Sequence, residues 1–149
     1  MILASAFNEA GVPTFDTVFS KSTMHRHRKL RRQQAAARIK EDYIPSKSIV
    51  HWDGKLLPDV TGEVTNNVDR LPVLLSSLAD GTTKLLGVPK LASGSGSGRA
   101  AADAVYEHIK SWKCESMVIS MCFDTTASNT GRLNGACTLL EVALGRNQL

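Results

Sequence analysis

The stretch Ser116–Gly131, S-M-V-I-S-M-C-F-D-T-T-A-S-N-T-G, constrains the fold more than any other part of the chain. Met117 to Phe123 is a run of high β-propensity, too short for an ordinary helix and too apolar for a loop. It predicts a strand buried on both faces. The run stops at one acid, Asp124, followed by small hydroxyl and amide residues. An acid there lies where open α/β sheets bind ligands, outside the carboxyl ends of the strands. The alternative is that Asp124 only shapes a turn, since Asp-Thr-Thr and Ser-Asn-Thr-Gly are good turn formers.

The 149 residues suffice for one domain of ordinary size, and the mix of 42% hydrophobic and 21% charged residues is that of a soluble globular protein. No apolar run approaches the roughly 20 residues that span a bilayer. The start, M-I-L-A-S-A-F-N-E, lacks the basic opening of a signal peptide. Cys114, Cys122 and Cys137 are odd in number and lack C-x-x-C spacing, which argues against a disulfide framework and a structural zinc site. Cys122 and Cys137 read as small core hydrophobes, and an intracellular compartment is the expectation.

Charge is unevenly distributed. Lys21, Arg26, Arg28, Lys29, Arg31, Arg32, Arg38 and Lys40 are eight basic residues between positions 21 and 40 with no acid among them. The remainder holds ten basic and fourteen acidic residues, a balance of −4. A basic arm on a slightly acidic body suits contact with a polyanion. Residues 2–10 read as a short helix and another starts near Thr14 or Asp16. Ser20 or Ser22 then caps a longer helix running to Ile39 or Glu41. Arg26, Arg28, Lys29, Arg31 and Arg32 are the candidate phosphate contacts; the other reading is a solvated surface helix. R-H-R-K-L-R-R at 26–32 also has the form of a nuclear-import signal.

Beyond Pro45 the texture changes. Ser48–Trp52 is a strand candidate, with Asp53-Gly54 a turn signal after it. Pro58 to Asn67 is turn-rich. Arg70–Leu78 reads as a second strand and Lys84–Leu91 as a third, joined by the turn at Asp80-Gly81. Ser93–Gly98 is a glycine-serine run that leads straight into a helix, with Ser97 the N-cap candidate and Ala101, Val105, His108 or Ile109, and Trp112 on one face. G-K-[ST] is absent, so this is no P-loop, though another anion cradle stays open. After the opening strand, Leu133, Ala136, Cys137, Leu140 and Leu144 mark a last amphipathic helix.

Two acids now occupy equivalent positions: Asp53 after the first strand and Asp124 after the fourth. If three strands form an antiparallel meander and the fourth runs parallel to the first, both emerge at one end of the sheet, on strands about 4.8 Å apart. Two carboxylates so placed suit a hard divalent ion, and such ions drive phosphoryl transfer.

In this order of elements, I-V-H-W-D at 49–53 and F-D-T-T-A-S-N-T-G at 123–131 resemble the DDE-type transposases of eukaryotic DNA transposons, particularly the hAT-like group. The resemblance covers residues 46–149. It implies an α/β fold, a ribonuclease H-like mixed sheet of three antiparallel strands, a helix, a parallel strand and a helix. That core, residues 46–149, follows a basic helical arm, residues 1–44. It also implies that Asp53 and Asp124 are catalytic, metal-holding acids for Mg²⁺ or Mn²⁺, that Ser128 and Asn129 support the loop behind Asp124, and that DNA in the nucleus is the partner. Self-association stays open.

The third acid of such enzymes, on a later helix, has no counterpart. Glu141 sits on the last helix as a surface or packing residue, and Glu107 is a weak substitute on the preceding one. The chain is therefore expected to be the N-terminal portion of a DNA transposase with an incomplete core, inactive alone. The alternative is a non-catalytic, transposon-derived DNA-binding or interaction module acting through the arm. A sugar-kinase-like ATPase using Asp53 is disfavoured, because Lys55-Leu56-Leu57 replaces the D-x-G-x-T turn.

Overall fold

The computed structural model describes residues 20–58, 67–91 and 97–145. The expected helices at 2–10 and from Thr14 or Asp16, and most of the Ser93–Gly98 run, lie outside the described residues. The chain divides into two units, one up to Tyr43 and one from Ile44 onward.

In the first unit, helix α1 spans Lys21–Glu41. Ser20, not Ser22, caps it: its hydroxyl accepts from the Thr23 N–H at 3.0 Å, satisfying one of the free donors of the first turn. Arg38 and Lys40 occupy the last turn, where the helix dipole favours cations. No residue of α1 is buried, and even Leu30 and Ile39 are 49% and 51% exposed.

The second unit is a mixed α/β layer. Strands β1 (Ser48–Trp52), β4 (Val73–Ser77), β5 (Thr83–Gly87) and β6 (Val118–Cys122) form one sheet in the order β5-β4-β1-β6. β1 is antiparallel to β4 and parallel to β6, and β4 is antiparallel to β5. Strand alternation puts Val50, Trp52, Val73 and Leu75 on a buried face. Helix α2 (Gly98–Ser111) supplies Ala101, Val105 and Ile109 to the core. The Trp112 indole at its end donates to the Leu86 carbonyl at 3.0 Å, tying α2 to β5. A single turn, α3 (Ala127–Thr130), leads to α4 (Ala136–Ala143), which buries Ala136 and Leu140.

A two-stranded ribbon, β2 (Lys55–Pro58) with β3 (Asn67–Arg70), extends the hairpin. Trp52 pairs with Val73 and Lys55 with Arg70, so one antiparallel register runs through both sheets. Asp53-Gly54 is therefore not the hairpin turn that the dipeptide signals; the chain runs on into β2, which pairs antiparallel with β3. The same register sets Asp53 opposite Pro72. Proline has no N–H for the ladder, so pairing breaks there. The expected Arg70–Leu78 strand is divided by that break, and residue 90 carries the third strand's pairing onward through the Arg70–Lys90 bridge.

Three further expectations are corrected. β6 is not buried on both faces: it pairs with β1 alone among the described strands, and Ser120 and Cys122 are exposed. For the same reason Cys122 is not a core residue, and Cys137 is only half-buried. The fully buried thiol is Cys114, whose pKa burial, assisted by the charge of Glu115, pushes up to about 11. Leu133 is 77% exposed, because it precedes α4 in an irregular segment rather than sharing its apolar face.

Candidate acidic site at the carboxyl end of the sheet

β1 and β6 end side by side. His51 is paired with Cys122 in the parallel ladder, and Asp53 and Asp124 each follow two residues later. The two acids thus leave adjacent strands at the same level. What keeps the second one there is a buried polar link. The Trp52 ring stacks on Phe123, with centroids 4.6 Å apart, and Trp52 is 2% exposed. Its indole N–H needs a partner at that burial. It donates to Asn129 Oδ1 at 2.9 Å. The Asn129 amide in turn donates to the Asp124 carbonyl at 3.2 Å and to the Asp124 carboxylate. The side chain of Asn129 therefore joins the end of β1 to the loop after β6.

Ser128 acts at one remove. Its hydroxyl lies 3.0 Å from the Thr126 hydroxyl, which donates to Asp124 Oδ1 at 3.4 Å. Thr126 and Trp52 are members of this network that residue types alone did not single out. An x-x-S-N run after an acid is visible in sequence, but a tryptophan donating across 77 positions is not.

Asp53 is engaged differently. Lys55, the first residue of β2, brings Nζ to 2.7 Å from Asp53 Oδ2. That hydrogen bond, then the charge of Asp53 and more weakly that of Asp124, holds the Lys55 ammonium above its usual pKa despite the opposing effect of desolvation. The ammonium thus senses both carboxylates. Neither Asp53 nor Lys55 lines the neighbouring cavity, which has a volume of about 270 Å³. Asp124, Asp69, Ser97, Thr126, Ser128 and Asn129 supply its polar wall, and Trp52, Leu71 and Leu91 are among its apolar residues. Asp69, on β3, is an acid that the linear sequence reading passed over. It comes near Asp124 only because the ribbon continues past Gly54.

The remaining candidates are dispersed. Glu107 is exposed on α2, and Glu141 is half-buried on α4 with its carboxylate 3.8 Å from the Cys137 thiol. Among the described residues no group of three or more His, Cys, Asp and Glu side chains is arranged to hold a metal ion. Asp53 and Asp124 remain as a pair of hard oxygen donors, and a lysine ammonium already sits on one of them. Carboxylate oxygens are the ligand type that Mg²⁺ and Mn²⁺ take, usually from few protein groups. His51 is half-buried on the face of β1 opposite Val50 and Trp52, with Nε2 unpartnered. In the other unit, Arg26 donates to Ser22 at 3.3 Å and Arg32 to the Arg28 carbonyl at 3.3 Å. Arg26, Arg28, Lys29, Arg31 and Arg32 are all exposed.

Comparison with protein-family models, curated proteins and solved structures returned no match at any of the three levels.

Proposed function

We propose that this chain carries the first two acids of a metal-dependent phosphoryl-transfer site acting on DNA, in a ribonuclease H-like core of the transposase type. One observation carries the reading. Asp53 and Asp124 leave two hydrogen-bonded parallel strands at the same register, each two residues beyond the His51–Cys122 pair. The order of the four-stranded sheet and the placing of helices after β5 and β6 are compatible with it.

Asp53 and Asp124 are the residues that would hold Mg²⁺ or Mn²⁺. When bound, such an ion lowers the pKa of a coordinated water and stabilises charge on phosphate oxygens. The protein's own part is to fix the two carboxylates. Asn129 does so for Asp124, through its bond to the buried Trp52 indole. The Lys55 ammonium, 2.7 Å from Oδ2, does so for Asp53. Two carboxylates alone bind weakly, so metal uptake and DNA uptake support each other.

Titration of the chain with Mn²⁺, followed by electron paramagnetic resonance of the free ion, tests this. Asp53→Asn and Asp124→Asn are each expected to weaken Mn²⁺ binding tenfold or more while leaving far-UV circular dichroism unchanged. Unchanged Mn²⁺ affinity in both variants overturns the reading.

A second reading has its own support: helix α1 buries none of its 21 residues and exposes every basic side chain named above. A helix polar all round, with no acid before Glu41, fits a DNA-binding module that works without catalysis.

A further inference from the structure

Two carboxylates that leave neighbouring strands at one level repel each other unless a positive charge lies close. Among the described residues a positive charge lies there on Lys55, with Nζ 2.7 Å from Asp53 Oδ2. Its position follows from the broken hairpin. β2 begins just after the two-residue interruption, so its first side chain reaches back to the acid that ends β1.

The residue type matters as well. A lysine ammonium is a compact point charge on a flexible stem, and it leaves more readily than the planar fork of an arginine, which grips a carboxylate through two hydrogen bonds. The pair is also open to water, with the Lys55 and Asp53 side chains 60% and 51% exposed. An ion pair that exposed is weak and screened by salt, so it can be displaced. A divalent ion that ligates Asp53 through Oδ2 competes with this ammonium for the same oxygen.

We propose that Lys55 is a resident counter-cation of the Asp53–Asp124 pair: it neutralises Asp53 while metal is absent, yields that carboxylate to a divalent ion, and then turns to a DNA phosphate. The inference rests on the metal-site reading above and adds a residue to it. Lys55 becomes a positioning residue that couples metal uptake to DNA uptake, because the ammonium displaced from Asp53 finds its new partner in the phosphate that the metal attracts.

Mn²⁺ dissociation constants for the wild-type chain, Lys55→Gln, Lys55→Arg, Asp53→Asn and Asp124→Asn test it, together with Mn²⁺-dependent binding to a short DNA duplex followed by fluorescence anisotropy. Lys55 is on the surface, so its replacement leaves the core intact. Without DNA, Lys55→Gln is expected to bind Mn²⁺ about two- to fivefold more tightly than wild type, in keeping with the strength of an exposed ion pair. The gain shrinks in molar NaCl, which screens that pair. Lys55→Arg shows no such gain. With Mn²⁺ saturating, Lys55→Gln binds DNA more weakly than wild type. If Lys55→Gln leaves Mn²⁺ affinity unchanged or lowers it, while Asp53→Asn and Asp124→Asn weaken it, the lysine role is overturned and the metal site stands. Unchanged Mn²⁺ affinity in both acid variants removes the metal site and the lysine role with it.

Discussion

Replacing Asn129 by alanine leaves the Trp52 indole N–H without its acceptor and the Asp124 carboxylate without its amide donor. Asn129 is 7% exposed and Trp52 2%, so the donor left behind lies almost wholly out of solvent. An unsatisfied buried donor costs about 1–3 kcal/mol, and that is the expected loss of stability, read as a lower urea midpoint with unchanged slope. Asn129→Asp is expected to lose more, because the new carboxylate meets Asp124 and at most one of the two oxygens can keep a proton-mediated contact. Thr126→Ala tests the specificity of the effect. Its hydroxyl is exposed and its bond to Asp124 is long, at 3.4 Å, so about 0.5 kcal/mol or less should be lost. Equal losses for Asn129→Ala and Thr126→Ala would show that Asn129 is not the link between the strands.

Among the elements, α2 is placed by a missing side chain. A Cβ on Gly98 would lie 2.2 Å from the Asn134 carbonyl oxygen, 2.5 Å from that of Ser128 and 2.7 Å from the Ala136 nitrogen. All three neighbours are backbone atoms in the segment that runs from α3 into α4. Alanine is the better helix former by about 1 kcal/mol, but overpacking against backbone costs about 1–3 kcal/mol and here has no flexible side chain to absorb it. The packing term wins. Gly98→Ala is therefore expected to lower thermal stability, while alanine at the exposed Arg99 leaves it unchanged within about 0.5 kcal/mol. A Gly98→Ala chain as stable as wild type would mean that α2 does not rest on this segment. The hairpin shows the same dependence on one residue type. Its single register passes from β1/β4 into β2/β3, and a proline opposite Asp53 is enough to interrupt the ladder at the acid.

Across the whole molecule the dominant feature is charge segregation. The eight basic residues between positions 21 and 40 stand against a balance of −4 elsewhere. Each phosphate neutralised on duplex DNA contributes about 0.9 to the slope of log affinity against log salt. Arg26→Ala, Arg28→Ala, Arg31→Ala and Arg32→Ala combined should thus flatten that slope by about 2–4, according to how many of the four meet phosphates. These side chains are exposed and α1 buries nothing, so the quadruple variant keeps the fold of the other unit. An unchanged salt slope would sink the DNA-contact reading of the arm, with no consequence for the acidic pair.

The sequence by itself determined features set by local physics. Ser20 and Ser97 cap their helices because a hydroxyl at that position meets a free N–H. The β1 strand and the α2 helix follow from alternation and helical spacing, which no distant contact needs to supply. Asp53 and Asp124 are visible as acids ending apolar runs. What tertiary structure alone decided depends on pairing partners far along the chain. Met117–Phe123 carries the composition of a central strand, yet among the described strands β6 pairs with β1 alone and Cys122 is exposed, since burial is set by neighbours and not by propensity. Asp53-Gly54 carries a turn signature, yet the chain runs on there, because pairing between β2 and β3 outweighs a local preference. The links from Trp52 to Asn129 and from Lys55 to Asp53 belong to this second class: one spans 77 positions, and the other exists only because the hairpin breaks where it does.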